Sequence, residues 1–371
     1  MNTLADIHYF PREKLVQTVH QALGSGLTHA ITMFAARRMG KTLFVKNDLV
    51  PAAEAWGWRA CYIDLWVRRD HPEAALVQEL EAAVRPKGLL ARAIKPDKLT
   101  AKAGYGGSGV HAEWLPNTAE LDLQGRLRNA MRSLAHANDQ PVLLILDEFQ
   151  TLANGMHEDF IAAFRASMLE LQPRLKLFFT GSSREALNAM FRKRKAPLFD
   201  AALSLPLPEL DEDFVQNRAF IFQKMTGRTV DEAELGNVFE RIAHVPLYLN
   251  QIILHMVVGI TSDPWEGLRR WQDEIGETGL REQWLMLKPV DRFILVHLAT
   301  RQSESLFGSE FSALATERLD DNTSYNPQRI QTAVARLVKA LVLAPKGVKG
   351  EYEIEDRALA TYLASGPSVV G

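Results

Sequence analysis

The chain has 371 residues, with 43 Lys+Arg against 45 Asp+Glu, a formal net charge of −2, and 47% hydrophobic and 24% charged residues. This balance excludes a largely disordered or fibrous chain. It also excludes a wholly basic nucleic-acid coat and a strongly acidic tail protein, so any DNA surface must be a local basic patch.

At ~100–200 residues per domain, two or three domains are expected. The single cysteine, Cys61, forms no internal disulfide, and the histidines are scattered without a Cys/His cluster, which speaks against structural zinc. The N-terminal stretch MNTLADIHYFPREKL lacks the apolar core of a signal peptide. The longest apolar stretches, such as Ile252–Ile260, fall far short of the ~20 residues of a membrane span. A cytoplasmic setting without membrane contact is the expectation.

Ala30–Phe34 reads as a short buried strand, followed by the octapeptide Ala35–Thr42 (AARRMGKT) and by Leu43, Phe44, Leu49 and Val50 at helical spacing. Strand, loop, GKT and helix is the context of a phosphate-binding loop. Backbone N–H groups of Ala36, Arg37, Arg38, Met39 and Gly40, and of the helix N-terminus at Lys41, Thr42 and Leu43, would face phosphates. Lys41 would neutralise the β and γ oxygens, and the Thr42 hydroxyl would hold Mg²⁺. The usual first glycine is Ala35, so the loop has to begin without a left-handed residue there.

Arg59–Trp66 is a second strand candidate. Pro86–Trp114 alternates lysines with apolar residues around a Gly-rich tip, and reads either as a hairpin insert or as a loop beside the sheet. Val142–Gln150 (VLLILDEFQ) is an apolar run ending in two acids, as expected of a central parallel strand that delivers a carboxylate to the ligand edge. Asp147 would bind Mg²⁺ through water, and Glu148 would polarise the attacking water as general base. Leu175–Ser182 and Leu203–Leu207 complete five strands alternating with helices. The predicted fold class is α/β: a three-layer parallel sheet of the additional-strand, AAA+-like P-loop type, then a helical lid and a winged helix.

From Leu207 to Trp284 the pattern is helical, with apolar faces in Asp211–Met225 and Thr229–Ala243 and a break at Ser262-Asp263-Pro264. Leu285–Leu363 reads as a winged helix: Pro289–Ala299, a helix from Gly308, and Ser324–Leu341 with Ile330, Val334, Leu337 and Leu341 in one stripe. Two strands around a Lys-Gly turn follow. Residues 326–350 carry Arg329, Arg336, Lys339, Lys346 and Lys349 and no acid, a surface suited to the phosphates of duplex DNA. Five such contacts would give a salt slope of at most about −4.5. The same unit also suits a protein partner. The predicted domains are 1–206 (P-loop core), 207–284 (lid) and 285–371 (winged helix).

Four segments resemble the archaeal-type ATPases, a branch of the AAA+/STAND P-loop NTPases. Tyr9-Phe10-Pro11-Arg12-Glu13 with Leu15 resembles F-x-x-R-E-x-E-L. Ala35–Thr42 resembles G-P-R-R-x-G-K-T, with Ala for both Gly and Pro. Val142–Glu148 resembles the hydrophobic-D-E strand. Thr180-Gly181-Ser182-Ser183 and Ala196-Pro197-Leu198-Phe199 resemble G-S-S and P-L-[YF]-G-R, with Asp200 where Gly-Arg is typical. A fifth stretch, His244–Leu249, resembles the G-x-P motif of STAND lids without its glycine; it reads equally as a loop leading into a core helix.

The resemblance spans about residues 8–365 and implies an ATP-hydrolysing enzyme. It places Phe10, Arg12 and Pro246 among the nucleotide-binding residues. It puts Ser182 or Ser183 where a hydroxyl senses the γ-phosphate, with Ser182 preferred because it directly follows the strand; a helix N-cap is the other reading. An arginine completing the site, often from a neighbouring subunit of a homo-oligomer, would come from Arg165, Arg184, Arg192, Arg194 or Arg218. The run Arg192-Lys193-Arg194-Lys195 fits a charged turn, a subunit contact or a phosphate contact. Two functional readings follow: an ATPase acting on or assembling at DNA, and an ATP-gated switch whose winged helix contacts a protein partner. A third, ATP binding without turnover, is opposed by Glu148 and supported by Ala35 and Asp200.

Overall fold

A computed structural model describes residues 9–68, 71–84, 117–137, 139–152, 158–182, 184–275, 284, 286–300, 306–319, 323–340, 342–345, 350–355, 359–360 and 363. The expected insert Pro86–Trp114, with Ser183, Lys346 and Lys349, lies outside the described residues. Among the described residues no helix is long and apolar enough to cross a membrane.

Five parallel strands form one sheet: β1 (Ala30–Phe34), β2 (Arg59–Asp64), β3 (Val142–Asp147), β4 (Leu175–Gly181) and β5 (Leu203–Ser204). Their spatial order is β2-β3-β4-β1-β5. The strand that separates the phosphate-loop strand from the acidic strand is therefore β4, although β2 lies between them in sequence. Pairing sets Phe34 beside Gly181 and Asp64 beside Asp147 at the carboxyl edge.

Strand alternation explains the layers, because successive side chains leave opposite faces. Ile31, Met33, Leu143, Ile145 and Phe178 face the helix Glu13–Gly24 and the segment after the phosphate loop. Ala30, Cys61, Ile63, Leu144, Leu146, Leu177 and Phe179 face helices Pro72–Val84, Asn117–His136, Glu158–Glu170 and Arg184–Phe191. β3 and β4 are buried at every position, which is why both read as continuous apolar runs.

The helix after the phosphate loop is not uniform. It starts at Lys41–Leu43, widens to a π-helical register over Phe44–Leu49, and returns to α at Val50–Ala55. The wider register precedes Pro51, which has no N–H and disrupts the α ladder.

The lid helices are Glu212–Thr226, Glu232–Arg241, Pro246–Val258 and Pro264–Ile275. Asp231 caps the second through Ala233 N and Glu234 N, and Asp263 accepts from Trp265 N at the predicted break. Phe214, Phe222, Leu249 and Trp271 join the same apolar cluster as Ile31 and Phe178, so lid and sheet share one core. A separate cluster holds Ile294, Phe311, Ile330, Val334, Leu337 and Leu343. It unites helices Pro289–Thr300, Ser309–Leu319 and Pro327–Lys339 with the antiparallel pair β6 (Leu343–Pro345) and β7 (Tyr352–Ile354).

Candidate functional site

The carboxyl ends of β1, β3 and β4 converge. Ala35 leaves β1 with its N–H donating to Gly181 O at 3.2 Å. Ala35 itself is not left-handed; the loop turns instead at Arg38 (φ 69°) and Gly40 (φ 86°). Gly40 takes that conformation without strain, and Arg38 does not.

Asp147, 1% exposed, ends β3. Thr42 Oγ1 donates to its Oδ2 at 3.0 Å and Tyr62 OH to the same oxygen at 2.9 Å. Its Oδ1 accepts from Thr180 Oγ1 and from Glu148 N, the latter at 3.0 Å. Burial first, then Asp147, raises the Tyr62 pKa, which keeps the phenol protonated and able to donate.

Glu148 follows at φ 55°. Its Oε1 accepts from Lys41 Nζ at 2.5 Å, while Lys41 lies 3.8 Å from Asp147 Oδ1. Its Oε2 accepts from Ser182 Oγ at 2.7 Å and from Gln150 Nε2. Burial works to raise the Glu148 pKa, but the Lys41 charge and the donors Lys41, Ser182 and Gln150 together outweigh it and hold it below the ordinary value. A Cβ on Gly181 would lie 2.5 Å from Gln150 Oε1, so glycine there gives the Gln150 side chain its seat. Lys41, Thr42, Asp147, Glu148 and Ser182 are thus brought together as one network. Tyr62, Thr180 and Gln150 belong to it without having been singled out in the sequence; the run LDEFQ was the only signal for Gln150.

A cleft of about 320 Å³ opens over this network, lined by Ala36, Arg37, Arg38, Gly40, Lys41, Thr42, Leu43 and Glu148 and, from the lid, by Pro246, Leu247 and Asn250. Its donor set suits a magnesium–polyphosphate: a lysine, loop amides around a left-handed glycine, and a hydroxyl and a carboxylate 3.0 Å apart.

Two predicted contacts take other places. Arg12 does not line the cleft. Its Nη2 donates to Met39 O at 3.1 Å and its Nη1 to Pro208 O at 2.5 Å, while its N–H donates to Asp48 Oδ2 at 2.9 Å. Arg12 clamps the phosphate loop to the start of the lid. Phe10 packs edge-on against Phe214, with centroids 5.5 Å apart. The Met39 side chain lies in the core, 4% exposed, and its predicted contact is through the backbone.

Loop and lid also touch directly. Arg38 Nη1 donates to Tyr248 OH, with the guanidinium 5.4 Å from the ring centroid. Tyr248 packs on Trp271 at 4.9 Å.

Two positions without a glycine of the resembled motifs keep a glycine-like backbone. Asp200 adopts φ 54° and His244 φ 53°, the conformation a glycine takes without strain. His244 stacks on Phe239 at 5.0 Å and lies 3.2 Å from Glu209 Oε2. Asp200 lies 3.5 Å from Arg192. Arg165 donates to the carbonyls of Pro197 and Phe199, and residues 192–195 are exposed.

In the C-terminal unit, Arg329 is exposed and donates to Ser324 O at 2.9 Å. Arg336 does not stand free for a phosphate as the sequence reading had it. It is bidentate to Asp291, which is 2% exposed, with Nε to Oδ2 at 3.1 Å and Nη2 to Oδ1 at 2.5 Å. The buried carboxylate requires a cation there. The Lys339 side chain lies outside the described residues.

By sequence the chain matches no family model and no curated protein. Its structure does match solved ones. A Walker-type ATPase of Pyrococcus abyssi superposes with TM-score 0.59 at 18% identity, covering 97% of each chain. The ORC2 protein of Aeropyrum pernix in its ADP form gives 0.53 at 13% identity, covering 97% of this chain and 94% of that one. The chain has the fold of an archaeal-type P-loop AAA+ ATPase. In this P-loop fold the strand inserted between β1 and β3 carries Thr180 and leads into Ser182, so the third strand end reaches both acids.

Proposed function

We propose that this chain binds ATP with Mg²⁺ and hydrolyses it. The observation that carries the reading is the convergence of Lys41, Thr42, Asp147, Glu148 and Ser182 at three adjacent strand ends. Mg²⁺, when bound, neutralises charge across the phosphates; Thr42 and Asp147 would hold it. Lys41 exchanges its contact with Glu148 Oε1 for a phosphate oxygen. Oε1 then accepts a proton of the water that attacks the γ-phosphorus, the bond from that phosphorus to the ADP oxygen breaks and ADP leaves, while Oε2 stays held by Ser182 and Gln150.

We further propose that the enzyme acts on or assembles at duplex DNA through a C-terminal winged helix, with domain limits near 206 and 284. The order of three helices and a β-pair supports it, as does the local basic charge of Arg329, Lys339, Lys346 and Lys349. The exposed run at 192–195 suits a contact between copies of the chain. A cytoplasmic setting fits these roles. The second reading, an ATP-gated switch with a protein partner, is favoured by the direct Arg38–Tyr248 contact between loop and lid.

The test is Mg²⁺-dependent ATP turnover with and without duplex DNA at two salt concentrations. Stimulation that fades with salt supports the DNA reading. Turnover indifferent to DNA supports the switch, and no turnover overturns the enzyme.

A further inference from the structure

Behind the lid wall of the cleft lies a buried guanidinium. Arg218, on helix Glu212–Thr226, is 2% exposed, and burial pushes its pKa down to about 10. It lies 4.8 Å from the Phe214 ring centroid. Its Nη2 donates to Asn217 Oδ1 at 2.8 Å, and its Nη1 donates to Asn250 Oδ1 at 3.0 Å.

Asn250 belongs to another helix, Pro246–Val258, one turn beyond Pro246. It is exposed, and it lines the cleft together with Lys41, Thr42 and Glu148. The fixed partner decides which way its carboxamide faces. A guanidinium has donors only, so the flipped amide would set NH₂ against N–H. Oδ1 is therefore turned to Arg218, which leaves the Nδ2 donors to partners other than Arg218. The cleft residues that surround it are those of the phosphate loop and Glu148. Phe10 and Arg12 are absent from this wall.

We propose that Asn250 is the lid's hydrogen-bond donor to the phosphate chain of the bound nucleotide, with Arg218 as the positioning residue that sets its amide. This rests on reading the cleft as the ATP site. Its chemistry is specific: the lid offers a neutral donor with a positive charge one group behind it. An acceptor at the same place would meet the phosphates with lone pairs.

The decisive variant is Asn250→Asp. The new carboxylate keeps the hydrogen bond from Arg218 and adds an ion pair, so a purely structural Asn250 tolerates the change. A phosphate-facing Asn250 does not, because an oxygen anion replaces the donor. The readout is Mg²⁺-dependent binding of ATP and of ADP by titration calorimetry, beside thermal unfolding of the same samples. Asn250→Asp is expected to weaken ATP at least tenfold, and ADP less, with a midpoint of unfolding unchanged or raised. Asn250→Ala is expected to weaken ATP severalfold. Arg218→Met is expected to weaken ATP severalfold as well; where that variant does not fold, the Asn250→Asp titration decides.

Wild-type ATP affinity in Asn250→Asp overturns the inference. Lys41→Ala separates this from the reading beneath it. If wild type binds no nucleotide, or binds it equally well without Lys41, the ATP site itself fails. If Lys41→Ala loses binding while Asn250→Asp does not, only the role of Asn250 fails.

Discussion

Lys41 Nζ lies 2.5 Å from Glu148 Oε1, on the opposite carboxylate oxygen from the one held by Ser182 and Gln150. The two oxygens of one side chain therefore have separate tasks. One is anchored by Ser182 and Gln150, and the other is held by the Lys41 cation.

Replacing Glu148 with Gln keeps the shape and removes the proposed base. Glu148→Gln should retain ATP affinity and lose turnover by about 10²–10⁴-fold. Binding and single-turnover rates on the same preparation check it, and unchanged turnover would remove Glu148 from the role of base. Lys41→Ala should do the reverse and lose most of the binding; an affinity near ~10 µM corresponds to about −6.8 kcal/mol at stake.

The depressed Glu148 carboxyl has a pH signature. A group whose folded pKa lies below its unfolded value contributes stability that is full above the unfolded value, ~4.3 for Glu. That stability is lost as pH falls through the folded pKa. The stability advantage of wild type over Glu148→Gln should be constant from neutral pH down to the unfolded value and shrink below it. Urea unfolding of both proteins across that range reads it directly. An advantage that grows in acid contradicts the ion pair with Lys41.

His244 holds a left-handed backbone with a side chain that stacks on Phe239. Left-handed conformation costs a non-glycine residue roughly 1–2 kcal/mol. His244→Ala keeps that cost and removes the stacking, whereas His244→Gly removes both. His244→Gly should therefore be more stable than His244→Ala by about 1 kcal/mol, as measured by chemical unfolding. Asp200→Gly should be neutral or slightly stabilising for the same reason.

Arg336 and Arg329 share a helix and should respond differently. Removing a partner from a buried ion pair costs about 3–5 kcal/mol, less here because the Arg336 side chain is 37% exposed. Arg336→Ala and Asp291→Ala should each destabilise the C-terminal cluster by about 1–3 kcal/mol. Arg329→Ala should leave stability unchanged and lower the salt slope of DNA binding by about 0.9. Thermal unfolding and salt-dependent DNA titration separate the two arginines.

Much of the site was legible in the sequence because its signals are local. A strand, a GKT at a helix start, and two acids ending an apolar run each occupy fewer than a dozen consecutive residues. Hydrophobic periodicity likewise located the strands within a residue or two at most edges. The His244 and Asp200 departures were visible as missing glycines, but only the backbone shows that both positions keep the left-handed turn, and that Ala35 does not need it.

What tertiary structure alone decided are the contacts between distant segments. The order β2-β3-β4-β1-β5 places Thr180 on Asp147, and pairing of β2 with β3 brings Tyr62 to the same carboxylate. Arg12 reaches Met39 and Pro208, Arg218 reaches Asn250, and Arg336 reaches Asp291. Each of these polar groups has its partner chosen by burial, since a donor or charge removed from water must be satisfied by whatever the fold places beside it. The sequence by itself picked out the residues whose chemistry suits a phosphate site. The order of the strands decided which of them meet.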